Sequence, residues 1–213
     1  MNNKEKRIEE IINYFENDEY KDKNIVKTEL KYNSDYELLI AIILSAQCKD
    51  SRINEISPNL FEKYKSFEDL SKANYNEVFD LIKSISYPKE KTERIINVSK
   101  IIFQEYNSEI PNNLNKLIEI KGIGRKTANL VLSIVYDYPG IAVDTHVNRV
   151  SNRLNLVNSK NADIIERELM MLFPQKYYNK INPWFVMFGR YKCKAIKPEC
   201  KNCKLKKLCN YKN

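Results

Sequence analysis

Apolar positions recur along most of the chain at the spacing of one helix face. Ile8, Ile11, Ile12 and Phe15 open the pattern, and Ile53, Ile56, Leu60 and Tyr64 continue it. Lys91, Ile95, Val98 and Ile102 repeat it with the lysine's aliphatic stem turned inward. Further helices are predicted from Tyr75, Val78, Ile82 and Ile85, from Val147, Val150 and Leu154, and from Ile181, Trp184, Phe185 and Phe188. Strand-like alternation is nearly absent, so the economical fold class is all-α. The segment Leu38 to Leu44 is apolar on every side and runs into Ser45-Ala46-Gln47. It reads as a central buried helix rather than a strand, a choice that periodicity alone leaves open.

Punctuation is sparse. Pro139-Gly140 is the strongest break and marks a predicted domain boundary before the C-terminal third. The chain has only four glycines, and two of them, Gly122 and Gly124, fall in Ile120-Lys121-Gly122-Ile123-Gly124-Arg125-Lys126-Thr127. Leu114, Leu117 and Ile118 precede this segment at helical spacing, and Ala128, Val131, Leu132 and Val135 follow it. Two helices are therefore predicted to meet at a tight turn whose glycines permit positive φ and close approach of another backbone. The amides opening the second helix would form an anion site suited to a DNA phosphate. An ordinary helical hairpin is the other reading. Lys126 falls in the first turn of that helix, where the positive end of the dipole disfavours an ammonium and so favours a nucleophilic amine, and partial burial would add to this. A phosphate-contacting lysine remains the alternative.

Composition is globular, with 43% hydrophobic and 30% charged residues. The net charge of +8 matters because of where it lies. From Arg190 to Asn213 nine basic residues face the single acid Glu199, while the preceding residues balance at 27 of each sign. A concentrated basic patch points to a polyanion such as nucleic acid. A disordered, solvated tail is the competing reading, and the cysteines set among the lysines argue against it. The longest apolar run, Leu38 to Leu44, is far too short to cross a bilayer, and the N-terminus has no signal-like pattern. A monomeric, cytoplasmic protein without a membrane partner is expected, nucleoid-associated in a prokaryote.

Four of the five cysteines are spaced Cys193-x6-Cys200-x2-Cys203-x5-Cys209. Four thiolates so close imply a metal or a cluster. Structural zinc usually takes two short Cys pairs and only one is present, which favours iron–sulfur while leaving zinc open. Lys194, Lys197 and Lys201 would stand on the loops that the group rigidifies and present a DNA-binding surface. Cys48 is most simply a core thiol. Upstream, Asp144 ends the apolar run Ile141-Ala142-Val143 and precedes helical spacing, the position of an N-cap. Its carboxylate could also stabilise positive charge on a sugar. His146 is the only histidine, so multi-histidine metal sites and Ser/His catalysis are unavailable.

Taken together, Leu44-Ser45-Ala46-Gln47, Gly122-Ile123-Gly124-Arg125-Lys126-Thr127-Ala128, Val143-Asp144-Thr145-His146 and the cysteine spacing closely resemble the endonuclease III family of DNA glycosylases. The resemblance implies two helical lobes. One is a six-helix barrel of about residues 28–138 holding a helix-hairpin-helix at about 114–135. The other is a cluster domain of residues 1–27 and 139–213, with the active site in the cleft between the lobes and a flipped base from damaged duplex DNA as its substrate. By the same resemblance Lys126 attacks the sugar and forms a Schiff base, Asp144 assists, and Cys193, Cys200, Cys203 and Cys209 hold a [4Fe–4S] cluster. Gln47 fills the gap left by the flipped nucleotide, and Lys121, Gly122, Gly124, Arg125 and His146 fall among the DNA contacts. The implied activity is excision of oxidised pyrimidines with strand cleavage. Three segments depart from the family pattern. Lys121 stands where a proline is frequent, Ile85-Ser86-Tyr87-Pro88 stands where a glycine and an aliphatic residue are frequent, and Cys48-Lys49 differs from the usual small residue and threonine. Tyr87 is expected to stack on a base.

Overall fold

A computed structural model of the chain describes residues 3–17 and 28–211. Among the described residues there are eleven α-helices and no strand: α1 (Asn3–Asn17), α2 (Asp35–Ser45), α3 (Asp50–Lys63), α4 (Phe67–Ser71), α5 (Tyr75–Ile82), α6 (Pro88–Tyr106), α7 (Leu114–Glu119), α8 (Arg125–Val135), α9 (Thr145–Arg153), α10 (Ala162–Leu172) and α11 (Tyr178–Tyr191). The all-α class expected from the periodicity is observed. Two compact units are distinguished, residues 29–136 and residues 1–28 with 137–213.

In the first unit α2 is buried from Leu38 to Leu44 and packs against α3, α6 and α8. Its start is fixed locally. Ser34 Oγ accepts from Glu37 N at 3.2 Å, and Glu37 Oε2 accepts from Asn33 N at 2.7 Å, which satisfies amides that a helix N-terminus leaves without partners. Burial of each Leu or Ile on this helix contributes about 1.5–3 kcal/mol, and burial on every side explains why the sequence shows no polar stripe. Helices α4 and α5 cover α6, and α7 pairs with α8 across the glycine turn. Most predicted apolar positions fall in the core, but Tyr75 and Ile118 are exposed, and Ile85 is buried in the turn after α5 rather than on its helix.

In the second unit α1 lays Ile8, Ile11, Ile12 and Phe15 into a core shared with α9, α10 and α11. The Phe15 ring lies parallel to Trp184 at 5.4 Å and edge-on to Phe188 at 5.6 Å. Arg7 Nη1 donates to the carbonyls of Leu154 at 2.9 Å and Leu208 at 3.0 Å, tying α1 to the end of α9 and to the tail. The tail is folded: Leu205 is buried in this core, and Cys193, Cys203 and Cys209 pack against it. That excludes the disordered reading of the basic run for its described residues.

Candidate active site and cysteine cluster

The hairpin forms where two unequal glycines require it. Asn113 caps α7 through Lys116 N at 3.1 Å, and Ile123 N returns to Ile120 O at 2.9 Å to close the turn. Gly122 has φ +113°, and a Cβ there would lie 2.7 Å from Arg94 Cγ, so it needs both the missing side chain and the positive φ. Gly124 needs neither. It is the N-cap of α8 in ordinary extended geometry, with φ −85° and ψ 164°, and nothing lies within 4 Å of where its Cβ would stand. Both glycines lie in the turn, and only Gly122 uses the positive φ that glycine permits. What Gly124 contributes is openness, because no side chain caps α8. Arg125 and Lys126 occupy the first turn and are exposed, as is Lys121 before it. Burial therefore adds nothing to the reactivity of Lys126 in this structure.

Asp144 takes the capping role predicted for it. Its Oδ1 accepts from His146 N and from Val147 N, both at 2.8 Å, which leaves Oδ2 for other chemistry. His146 is half-buried, with Nδ1 3.1 Å from Arg149 Nη2, and a Cβ on Gly189 of α11 would come within 2.9 Å of that same nitrogen. Its ring is thus packed within the protein on at least one edge.

Gln47 and Tyr87 are both exposed, and both have left-handed backbones with φ 55°. Lys194, Lys197 and Lys201 are exposed on the tail. Lys194 also pairs with Glu199 at 2.8 Å.

Cys193, Cys200, Cys203 and Cys209 line a single cavity of about 570 Å³, half-buried and without disulfides. Among the described residues no three His, Cys, Asp or Glu side chains converge closely enough to hold one metal ion. Burial pushes the Cys203 and Cys209 thiols up, and the charge of neighbouring thiols adds to this. N–H groups point at sulfur: Arg153 Nη1 donates to Cys193 Sγ at 3.3 Å, Tyr211 N to Cys209 Sγ at 3.4 Å, and the Leu205 backbone bonds Cys203. The Arg153 guanidinium also lies 3.9 Å over the Tyr211 ring. Four thiols lining one cavity, with donors aimed at sulfur, have the donor chemistry of a metal or cluster site, but they do not converge on one point. Sequence reasoning missed Arg153 and Arg149. Their signal was two cations four residues apart on α9, a repulsive pair unless each has its own partners. Arg149 supplies its own by donating to Cys193 O and Gly189 O at 3.0 and 2.9 Å.

The family model of the HhH-GPD superfamily base excision DNA repair protein matches residues 40–175. The endonuclease III of Rickettsia felis is 40% identical over 187 residues, 88% of each chain. The chain belongs to the endonuclease III family. The endonuclease III of Bacillus subtilis is likewise 40% identical, over 182 residues that cover 85% of this chain and 83% of the relative. A solved non-covalent endonuclease III–DNA complex superposes with a TM-score of 0.86 at 34% identity, covering 99% and 96% of the two chains. A thermostable thymine-DNA glycosylase superposes at 0.80 with 25% identity, covering 98% and 96%. Membership makes this protein an enzyme of base excision repair, of the DNA glycosylase/AP lyase class. No helix among the described residues is long and apolar enough to cross a membrane.

Proposed function

We propose that this endonuclease III family member is a bifunctional, monomeric cytoplasmic enzyme that removes oxidised pyrimidines from duplex DNA and cleaves 3′ to the abasic site. The observation that carries the reading is Lys126 in the first turn of a helix whose N-terminus no side chain caps. Its neutral amine attacks C1′ of the damaged nucleotide, the C1′–N bond breaks, and the base leaves with the bonding electrons and then a proton. Loss of a proton from nitrogen and ring opening give a Schiff base, which acidifies C2′. Removal of that C2′ proton expels the 3′ phosphate by β-elimination. Asp144 Oδ2 stabilises the positive charge that develops on the sugar while Oδ1 holds α9. The amides opening α8, with Lys121, Gly122, Gly124 and Arg125, hold a phosphate. Gln47 and Tyr87 occupy the gap beside the flipped nucleotide, and His146 adds a DNA contact next to Asp144. The lobes of this reading are a barrel of about 28–138 and a cluster lobe of 1–27 and 139–213.

Cys193, Cys200, Cys203 and Cys209 would hold a [4Fe–4S] cluster, which, when bound, crosslinks the tail and keeps Lys194, Lys197 and Lys201 on a shaped basic surface. The presence of only one short cysteine pair, Cys200-x2-Cys203, favours this over zinc.

One specific likeness favours a second reading. The second reading is a monofunctional mismatch or adenine glycosylase of the same superfamily, and the 25% identical structure is that of a thymine-DNA glycosylase. A duplex carrying thymine glycol separates the two. The bifunctional reading requires base release together with strand breaks, both lost in Lys126→Ala. Base release that leaves the strand intact until alkali is added supports the second reading, and binding without release supports a catalytically silent DNA-binding module.

A further inference from the structure

Gln47 ends the turn after α2, and Tyr87 stands immediately before α6; both carry φ 55°. A left-handed backbone is uncommon outside glycine and asparagine, and for a bulky residue such as tyrosine it persists only where the surroundings enforce it. Three side-chain bonds lie around these two turns. Ser86 Oγ donates to Gln47 O at 2.6 Å, which ties one turn directly to the other. Lys91, only 3% exposed, donates from Nζ to Leu44 O at 2.8 Å and so holds a carbonyl in the last turn of α2. Thr92 Oγ1 donates to Pro88 O at 2.8 Å and steadies the turn beneath Tyr87. Tyr87 nevertheless remains 57% exposed, so the left-handed turn presents a residue to solvent rather than burying it.

We propose that Ser86 is a positioning residue that joins the Gln47 and Tyr87 turns into one rigid reading element, on whose aromatic face the base opposite the lesion stacks. The inference rests on the reading that these two side chains meet DNA. Ser86 is decisive because glycine in its place could not make the bond: the two turns would then move separately, each with its own entropy to lose on binding. An aromatic face accepts any base, and larger purine rings cover more of it. Binding therefore depends on the opposite base, and that dependence requires the pair to be held together.

The test uses the full-length, cluster-containing protein and a duplex with a stable abasic analogue opposite 2-aminopurine. Wild type is expected to quench the fluorophore on binding, and Tyr87→Ala to abolish the quench. Ser86→Ala should weaken binding about fivefold, the loss of roughly one hydrogen bond, and reduce the quench by half or more. On a cleavable thymine glycol duplex, the change should fall on KM and on opposite-base dependence rather than on kcat. Ser86→Thr, which keeps the hydroxyl, should restore both. The proposal is overturned if Ser86→Ala matches wild type, if Ser86→Thr loses as much as Ser86→Ala, or if undamaged duplex is weakened equally. Absence of any quench by wild type also overturns it. In that event strand cleavage of a thymine glycol duplex by the same preparation shows that the catalytic reading stands, and absence of cleavage shows that both fail.

Discussion

The two hairpin glycines should behave differently when each becomes alanine. At Gly122 the φ of +113° places an alanine in strained backbone, a cost of about 1–3 kcal/mol, before any collision. The added Cβ would also sit 2.7 Å from Arg94 Cγ and 3.2 Å from Val98 Cγ2. The arginine is flexible and can move, so the backbone contribution dominates. For a chain of this length each kcal/mol lowers Tm by about 2–4 °C, so a cost near 2 kcal/mol gives a drop of about 4–8 °C. At Gly124 the backbone is ordinary and the space is open, so Gly124→Ala should change Tm by no more than about 2 °C. If the amides of α8 hold a phosphate at close range, Gly124→Ala should instead weaken duplex binding about tenfold or more, because the new methyl stands where the DNA backbone approaches. Calorimetry and fluorescence anisotropy on the same preparations read the two effects. Combining Gly122→Ala with Arg94→Ala should recover only the smaller, steric part. Equal loss of stability at the two glycines, or wild-type binding by Gly124→Ala, would refute the reasoning.

Three further outcomes are expected. Asp144→Asn keeps an acceptor for His146 N and Val147 N, so it should melt close to wild type while base excision falls about 10²-fold or more; Asp144→Ala should in addition lose about 1 kcal/mol of cap stability in urea melts. Cys203→Ser should lower iron content and visible absorption together with duplex affinity, and a preparation that retains affinity without the chromophore would separate the cysteines from DNA binding. Burial holds the Lys91 ammonium below the usual lysine range, with Cys48 opposing the shift. The unfolded chain therefore keeps its proton to higher pH than the folded one, and stability rises with pH from the lowered value up to the unfolded value of about 10.4. Relative to Lys91→Met, the wild-type urea midpoint should climb across that window; parallel curves would count against a buried charge.

Much of this was legible because the relevant signals are local. The core of α2 announced itself by having no polar face, and Asp144 by standing between an apolar run and a helical one. Charge located on the tail, with the cysteines among it, foretold a folded basic surface. Other features could not be read. Gly122 and Gly124 look alike in sequence, and only the observed φ values and the nearness of Arg94 separate them. The bond from Ser86 to Gln47 joins residues 39 apart, and no periodicity encodes it. Lys91 was expected to bury its stem, but Nζ is buried as well, because the end of α2 leaves a carbonyl to be satisfied. Helices α4 and α10 passed unnoticed in the sequence: α4 is only five residues long, and α10 buries only Ile165, Glu166 and Leu169, a short stripe beside a run of apolar residues, Leu169 to Leu172, that blurs it. The predicted boundary at Pro139-Gly140 lies just after the observed division between Tyr136 and Asp137, since the tight turn and the end of packing need not coincide.

Reductive trapping tests the central claim most directly. With borohydride present during reaction on a thymine glycol duplex, hydride should reduce the Schiff base to a stable secondary amine, and peptide mapping should place the crosslink on Lys126. Lys126→Ala should form no adduct while still binding the duplex. An undiminished adduct in Lys126→Ala, or a crosslink mapped to another lysine, would contradict the account.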